Sequence, residues 1–268
     1  MVLLSAMRFL FLLLPFALLA SDMLAQDTPA AGVRVLLEDL HRQARDQERY
    51  NFAQGILARV LEDEGLQVES SHSIFKSPKE LTPEALSKFD LIVMNGRYRP
   101  DFGAAFAPET IRAVREYVLA GGFLLVVASG GHVGDGDHFS FYNPLLKPFG
   151  VQFDVTQAMY GHAEVDPRSR EHPLTKDMDF IRPLHGTTLT TSNPQAWILA
   201  RLNKQPCLAF IPHGLGWVCV LGGGSGWMNQ GMDPKIAKDK EGVAANQRLI
   251  RNLATWLKLQ KPGQREFR

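Results

Sequence analysis

From residue 33 onward the chain alternates two patterns. Short runs apolar at nearly every position, "VRVLL", "DLIVMN" and "FLLVVA", are separated by stretches in which apolar residues return every third or fourth place. A strand without polar alternation must be buried on both faces, and the amphipathic stretches between supply the helices that bury it. Phe52, Ile56, Leu57, Val60 and Leu61 recur at helical spacing, which predicts a helix over 46–65 that Gly65 stops. "LQVES" then reads as a strand. Thr82, followed by Pro83, starts a short helix in "LTPEALSKF". A helix over 108–120 carries Ile111, Val114 and Val118 on one face and ends at Gly121 and Gly122. This order predicts an α/β fold, a doubly wound, mostly parallel, flavodoxin-like sheet.

Near residue 185 the pattern changes. "TTLTT", "AWILARL", "CLAFIP" and "GWVCVLGG" follow one another across short turns, as antiparallel C-terminal strands do. A last helix over 243–258 lines up Leu249, Ile250, Leu253, Trp256 and Leu257, and residues 259–268 form a polar tail. The first 25 residues obey neither pattern: Arg8 leads the apolar stretch "FLLLPFALLA", and small residues follow at Ser21 and Ala25. That is the layout of a secretory signal peptide, too short and too interrupted by Pro15 for a comfortable membrane span. The organisation expected is a signal peptide over 1–25, a linker over 26–32 and one α/β domain over 33–258. The mature chain is expected to be exported, periplasmic or secreted, with no membrane attachment after cleavage.

Composition narrows the function. The 268 residues are 45% hydrophobic and 21% charged, enough for one sizeable core. With 29 basic against 28 acidic residues the net charge is +1, and the positive field that gathers phosphate backbones is missing, so no nucleic acid is expected as partner. Cys207 and Cys219, the only two cysteines, sit in apolar segments and are expected to be buried free thiols.

The phrases "FDLIVMNGRY", "YVLAGGFLLVVASGG", "FGVQFD", "EHPLTKDMDF", "GLGWVCVLGGGSGW" and "NLATWL", in this order, resemble the class I glutamine amidotransferase-like superfamily. The likeness is to its non-amidotransferase branches, trehalose-utilisation-type proteins and the related domains of gliding-motility and intraflagellar-transport proteins. The resemblance implies an amidotransferase-like α/β domain, yet its catalytic residues do not carry over. Where the family places a Cys between glycines, this chain reads Ala128, Ser129, Gly130, Gly131. Where its His and Glu follow a late strand, the chain has Gly222, Gly223, Gly224, Ser225, Gly226 and Trp227. A serine-hydrolase turn fits no better, because Val127 stands where G-x-S-x-G needs its first glycine.

The remaining polar clusters fall where ligands bind in open parallel sheets, outside the carboxyl ends of the strands. Glu38, His41 and Gln43 follow the first strand; Asn95, Arg97 and Arg99 follow the third; and "VVASGGHVGDGDH" follows the fourth. His41, Asn95, Arg97, Ser129, His132, Asp135, Asp137 and His138 are therefore the candidate ligand-binding residues. Tyr98, Phe139, Phe141 and Tyr142 are expected to add an aromatic surface on which a sugar could stack. His132, Asp135, Asp137 and His138 would suit a divalent ion, but their spacing matches no metal signature, and neither metal nor cofactor is assigned. His162, Glu164, Asp166, Glu171 and His172, in "GHAEVD" and "EHP", complete the polar inventory. The expected function is binding of a polar small molecule or carbohydrate. The competing readings are a hydrolase using the His132/Asp135/Asp137/His138 loop, with or without a metal, and an interaction domain. The export reading has a direct check: the mature chain should begin close to Gln26 by intact mass and N-terminal sequencing, and an intact N-terminus on an embedded protein would reject it.

Overall fold

The computed structural model describes residues 32–40, 53–95, 106–128, 138–154 and 159–260, with backbone alone at 138–140. The strands are β1 (Arg34–Glu38), β2 (Gln67–Ser70), β3 (Leu91–Asn95), β4 (Phe123–Ala128), β5 (Val151–Phe153), β6 (Ala163–Val165), β7 (Phe180–Ile181), β8 (Leu189–Thr191), β9 (Trp197–Leu202), β10 (Gln205–His213) and β11 (Gly216–Gly222). The main helices are α1 (Gly55–Asp63), α2 (Pro108–Leu119), α3 (His138–Leu146) and α4 (Lys240–Leu259). Among the described residues nine strands form one sheet in the order β2-β1-β3-β4-β11-β10-β9-β6-β7, and β5 pairs with β8 apart from it.

The five strands from β2 to β11 run parallel, and β10, β9, β6 and β7 extend the sheet antiparallel. β9, β10 and β11 follow one another antiparallel, as their short turns predict, and β11 also pairs in parallel with β4. Cys219 pairs in parallel register with Leu125, so β11 inserts beside β4 in the sheet interior. Seven buried residues out of seven make β11 fit only where both faces are covered.

The runs that look uniform in sequence divide by parity, because alternate strand residues point to opposite faces. Val35, Leu37, Leu91, Val93, Leu125, Val127, Cys219 and Leu221 pack with α1 and α4 in one core. Leu36, Ile92, Met94, Leu124, Val126, Val218 and Val220 pack with α2 and α3 in the other. In α4 the expected stripe of Leu249, Ile250, Leu253, Trp256 and Leu257 is buried. Thr82 caps the short helix Pro83–Leu86 by accepting the Ala85 N–H at 3.3 Å. The expected helix over 46–65 is observed as Gly55–Asp63; its earlier part lies outside the described residues.

His172 is part of the core. Its Nδ1 accepts the Leu174 N–H at 3.2 Å, and its ring meets the edges of Phe210 at 4.8 Å and Trp197 at 5.4 Å. Burial lowers its pKa from 6.5 to about 4. The native state thus holds a neutral imidazole while the unfolded chain takes up a proton below 6.5. Stability from this group is complete above pH 6.5 and falls as the pH drops toward 4. His172→Asn keeps an acceptor but does not titrate there. Between pH 6.5 and 4.5 the urea midpoint of the wild type should fall by more than that of the variant; equal falls would remove His172 as a source of acid sensitivity.

Candidate functional site

The parallel half of the sheet ends on one line. Glu38 pairs with Met94, Asn95 with Val127 and Ala128 with Gly222, so β1, β3, β4 and β11 finish within about a residue of each other. The chain leaves β1 toward β2 on one side and later returns to β3 on the other. Between β1 and β3 the connections diverge, the switch point outside which open α/β sheets form their ligand crevice.

Two polar side chains are buried at that divergence. Glu38 follows the parity of Leu36 toward the α2/α3 side, and its Oε1 accepts the Leu40 N–H at 3.0 Å. Asn95 follows the parity of Leu91 and Val93 toward the α1/α4 side and is 1% exposed. Its backbone carbonyl accepts from Gln54 Nε2 at 2.7 Å, but its side-chain Oδ1 and Nδ2 meet no hydrogen-bond partner among the described residues. A buried, unsatisfied amide costs about 1–3 kcal/mol, so its position calls for an explanation. Gln54 precedes α1, whose first turn is tied down by Asn229: the Ile56 N–H donates to Asn229 Oδ1 at 2.8 Å, and the Asn229 N–H donates to the Ala53 carbonyl at 2.9 Å.

Beside this crevice, the glycines after β11 serve close backbone packing. A Cβ on Gly222 would strike the Thr187 carbonyl, one on Gly223 would strike Pro183, and one on Gly226 would come within 2.5 Å of the Arg182 carbonyl. Segment 182–187 can therefore lie directly against 222–226. Asn246, buried on α4, holds the two together: its Oδ1 accepts the Arg182 N–H at 3.0 Å, and its Nδ2 donates to the carbonyls of Arg182 at 3.1 Å and Gly226 at 3.0 Å. The Gly223 N–H donates to the Ala128 carbonyl at 2.7 Å, which fixes the junction to the end of β4. Across it, His185 Nδ1 and Ser225 Oγ are hydrogen-bonded at 3.0 Å, and the exposed ring of Tyr160 stands edge-on to His185 at 5.6 Å.

Of the eight candidate ligand-binding residues, Asn95 is described in full and lies at the carboxyl end of β3. His138 begins α3, its side chain outside the described set, and His41, Arg97, Ser129, His132, Asp135 and Asp137 all lie outside the described residues. The aromatic surface expected of Phe141 and Tyr142 is a correction: they are 1% and 4% exposed and pack on Phe106 at 4.3 and 5.8 Å. Covering the α2/α3 face of the sheet consumes them. The later polar residues disperse. His162 stacks on Phe180 and pairs with Asp239 at 2.8 Å, while Asp166 binds Arg201 at 3.1 Å. Glu164 and Glu171 are exposed. Cys207 and Cys219 are free and buried; burial pushes the Cys207 thiol up to about 12 and raises Cys219 as well, so neither offers a thiolate at neutral pH.

The Ser225–His185 pair escaped the sequence reading, because 40 positions separate its members and Ser225 stands among glycines that read as a featureless turn. The one available signal was a polar side chain inside that glycine run.

No protein-family model matches the chain, and no curated protein matches it. Solved structures do. The mmIFT52 N-terminal domain superposes with a TM-score of 0.59 at 18% identity, over 84% of this chain and 97% of that one. A cytoplasmic protein from Salmonella typhimurium gives 0.59 at 16%, over 84% and 98%. A putative thua-like protein from Bacteroides uniformis gives 0.49 at 13%, over 84% and 91%. The solved structures similar to this chain thus include an intraflagellar-transport domain, one of the kinds of relative that the sequence resembles. At such identities the likeness is one of fold.

The junction is testable by itself. Asn246→Ala strands the Arg182 N–H and two carbonyls, and the chain should lose on the order of 2–4 kcal/mol in chemical denaturation. A loss under about 0.5 kcal/mol would mean that Asn246 does not hold the two segments together.

Proposed function

We propose that this chain is an exported, amidotransferase-like domain that lacks the family's catalytic triad and binds a polar small molecule or carbohydrate at the crevice outside β1, β3 and β4. The buried and unpartnered carboxamide of Asn95 carries the reading. An amide offers one acceptor and two donors, the complement of a hydroxyl group, and hydroxyl-rich ligands are recognised by such groups set into a largely apolar wall. Holding this amide unpaired is costly in a protein whose stability is marginal, and a ligand that satisfies it recovers the loss.

The strand order β2-β1-β3-β4 supports a doubly wound, flavodoxin-like arrangement, in which the ligand site lies where the chain switches direction at β1 and β3. On this reading His41, Arg97, Ser129, His132, Asp135, Asp137 and His138 complete the binding rim. They belong to the connections that leave β1, β3 and β4, and Asn95 forms the floor. Export rests on the Arg8-led leader, and the near-zero net charge favours an uncharged ligand over a polyanion.

Asn95→Leu separates function from stability. Removing two unsatisfied polar atoms should leave the unliganded protein at least as stable as the wild type, with a gain of up to about 1–3 kcal/mol. A panel of neutral mono- and disaccharides should include one that raises the melting temperature of the wild type, because a ligand bound only by the folded state stabilises it by mass action. The same sugar should leave Asn95→Leu unmoved. Equal shifts in both proteins, or no shift with any sugar, would overturn the proposal.

A further inference from the structure

We infer that Ser225 and His185 form a nucleophile–base pair able to hydrolyse a short acyl ester, an activity beyond the binding role proposed above and independent of Asn95. Oγ and Nδ1 lie 3.0 Å apart, inside the range at which an imidazole protonated on Nε2 accepts the hydroxyl proton. The pair lies at the carboxyl edge. Ser225 opens the short turn Ser225–Trp227, three residues past the end of β11, and the Gly223 N–H is bound to the last residue of β4.

The backbone of His185 is a second, independent sign. It sits at φ +50°, the left-handed region that a non-glycine residue enters at a cost of about 1–3 kcal/mol. Its neighbours impose this. Gly186 exchanges two backbone hydrogen bonds with Met159, at 2.7 and 2.8 Å; Leu184 bridges Gly224; and Asn246 holds Arg182. His185 is half-buried beside the exposed ring of Tyr160. Ser225 is 5% exposed and follows glycines packed against Pro183 and the Arg182 carbonyl.

The reaction balances with water as co-reactant. Neutral His185 takes the hydroxyl proton of Ser225 through Nδ1 as Oγ bonds to the acyl carbon. The bond from that carbon to the ester oxygen breaks, and the imidazolium returns its proton to the leaving alcohol. Water, deprotonated by the same nitrogen, then displaces Oγ, leaving a carboxylic acid and a regenerated serine.

The test uses the full chain with p-nitrophenyl acetate as substrate and a fluorophosphonate as active-serine probe. One equivalent of label should be found by peptide mass mapping on the peptide that holds Ser225. Ser225→Ala should remove both labelling and turnover. His185→Asn, chosen because asparagine tolerates the left-handed backbone, should keep the wild-type melting temperature yet slow labelling by 100-fold or more. A folded wild type that takes no label, label on Ser129, or labelling unchanged in His185→Asn would overturn the inference. Because mapping is done on the wild-type chain, the outcome stands even where a variant fails to fold. Sugar binding that persists without labelling would refute the pair and leave the binding site intact.

Discussion

The parallel ladder between β4 and β11 is the constraint from which the rest of the structure follows. It runs unbroken from Phe123↔Trp217 to Ala128↔Gly222. It joins the parallel half of the sheet to the antiparallel half, and it does so in the interior, where every backbone amide must be paired. A strand placed there must be apolar on both faces, as β11 is, and it must end where its neighbours end. The glycine run that follows is thereby delivered to the carboxyl edge, beside the point at which β4 releases the chain. Crevice, glycine junction and serine–histidine pair all inherit their positions from this register.

Two buried asparagines measure how this fold uses polarity. Asn246 binds backbone groups of two distant segments with both amide atoms, and its interactions serve structure alone. Asn95 is buried to a similar depth, yet its side-chain amide has no hydrogen-bond partner among the described residues. The same chemistry at similar depth thus differs in cost, because a paired buried amide is near neutral while an unpaired one costs its full desolvation. The fold spends its polar complement on holding 182–187 against 222–226 and leaves one amide open where the strands diverge.

Titratable groups follow the same division. Cys207, Cys219 and His172 are drawn into the core, and burial keeps each of them neutral at pH 7. His185 is left at the edge, in contact with a hydroxyl and an exposed phenol ring. Among the described residues, packing thus removes both cysteines and His172 from chemistry and leaves His185 hydrogen-bonded to Ser225 at the strand ends.

By itself the sequence determined the α/β class, the strands β1, β3 and β4, the capped turn at Thr82, the α4 stripe, the burial of both cysteines and the place of Asn95 at a strand end. These follow from local periodicity and capping, which act over a few residues and are written contiguously. It carried the antiparallel run of β9, β10 and β11 but not the parallel pairing of β11 with β4, and it read Phe141 and Tyr142 as rim surface. Pairing partner and facing layer are set by contacts between residues tens of positions apart, and a short apolar run carries no mark of which neighbour it will have. The meeting of His185 with Ser225 and the unpaired state of the Asn95 amide were decided by tertiary structure alone, because both depend on which backbones glycine allows to touch and on which polar groups are left over once the core has closed.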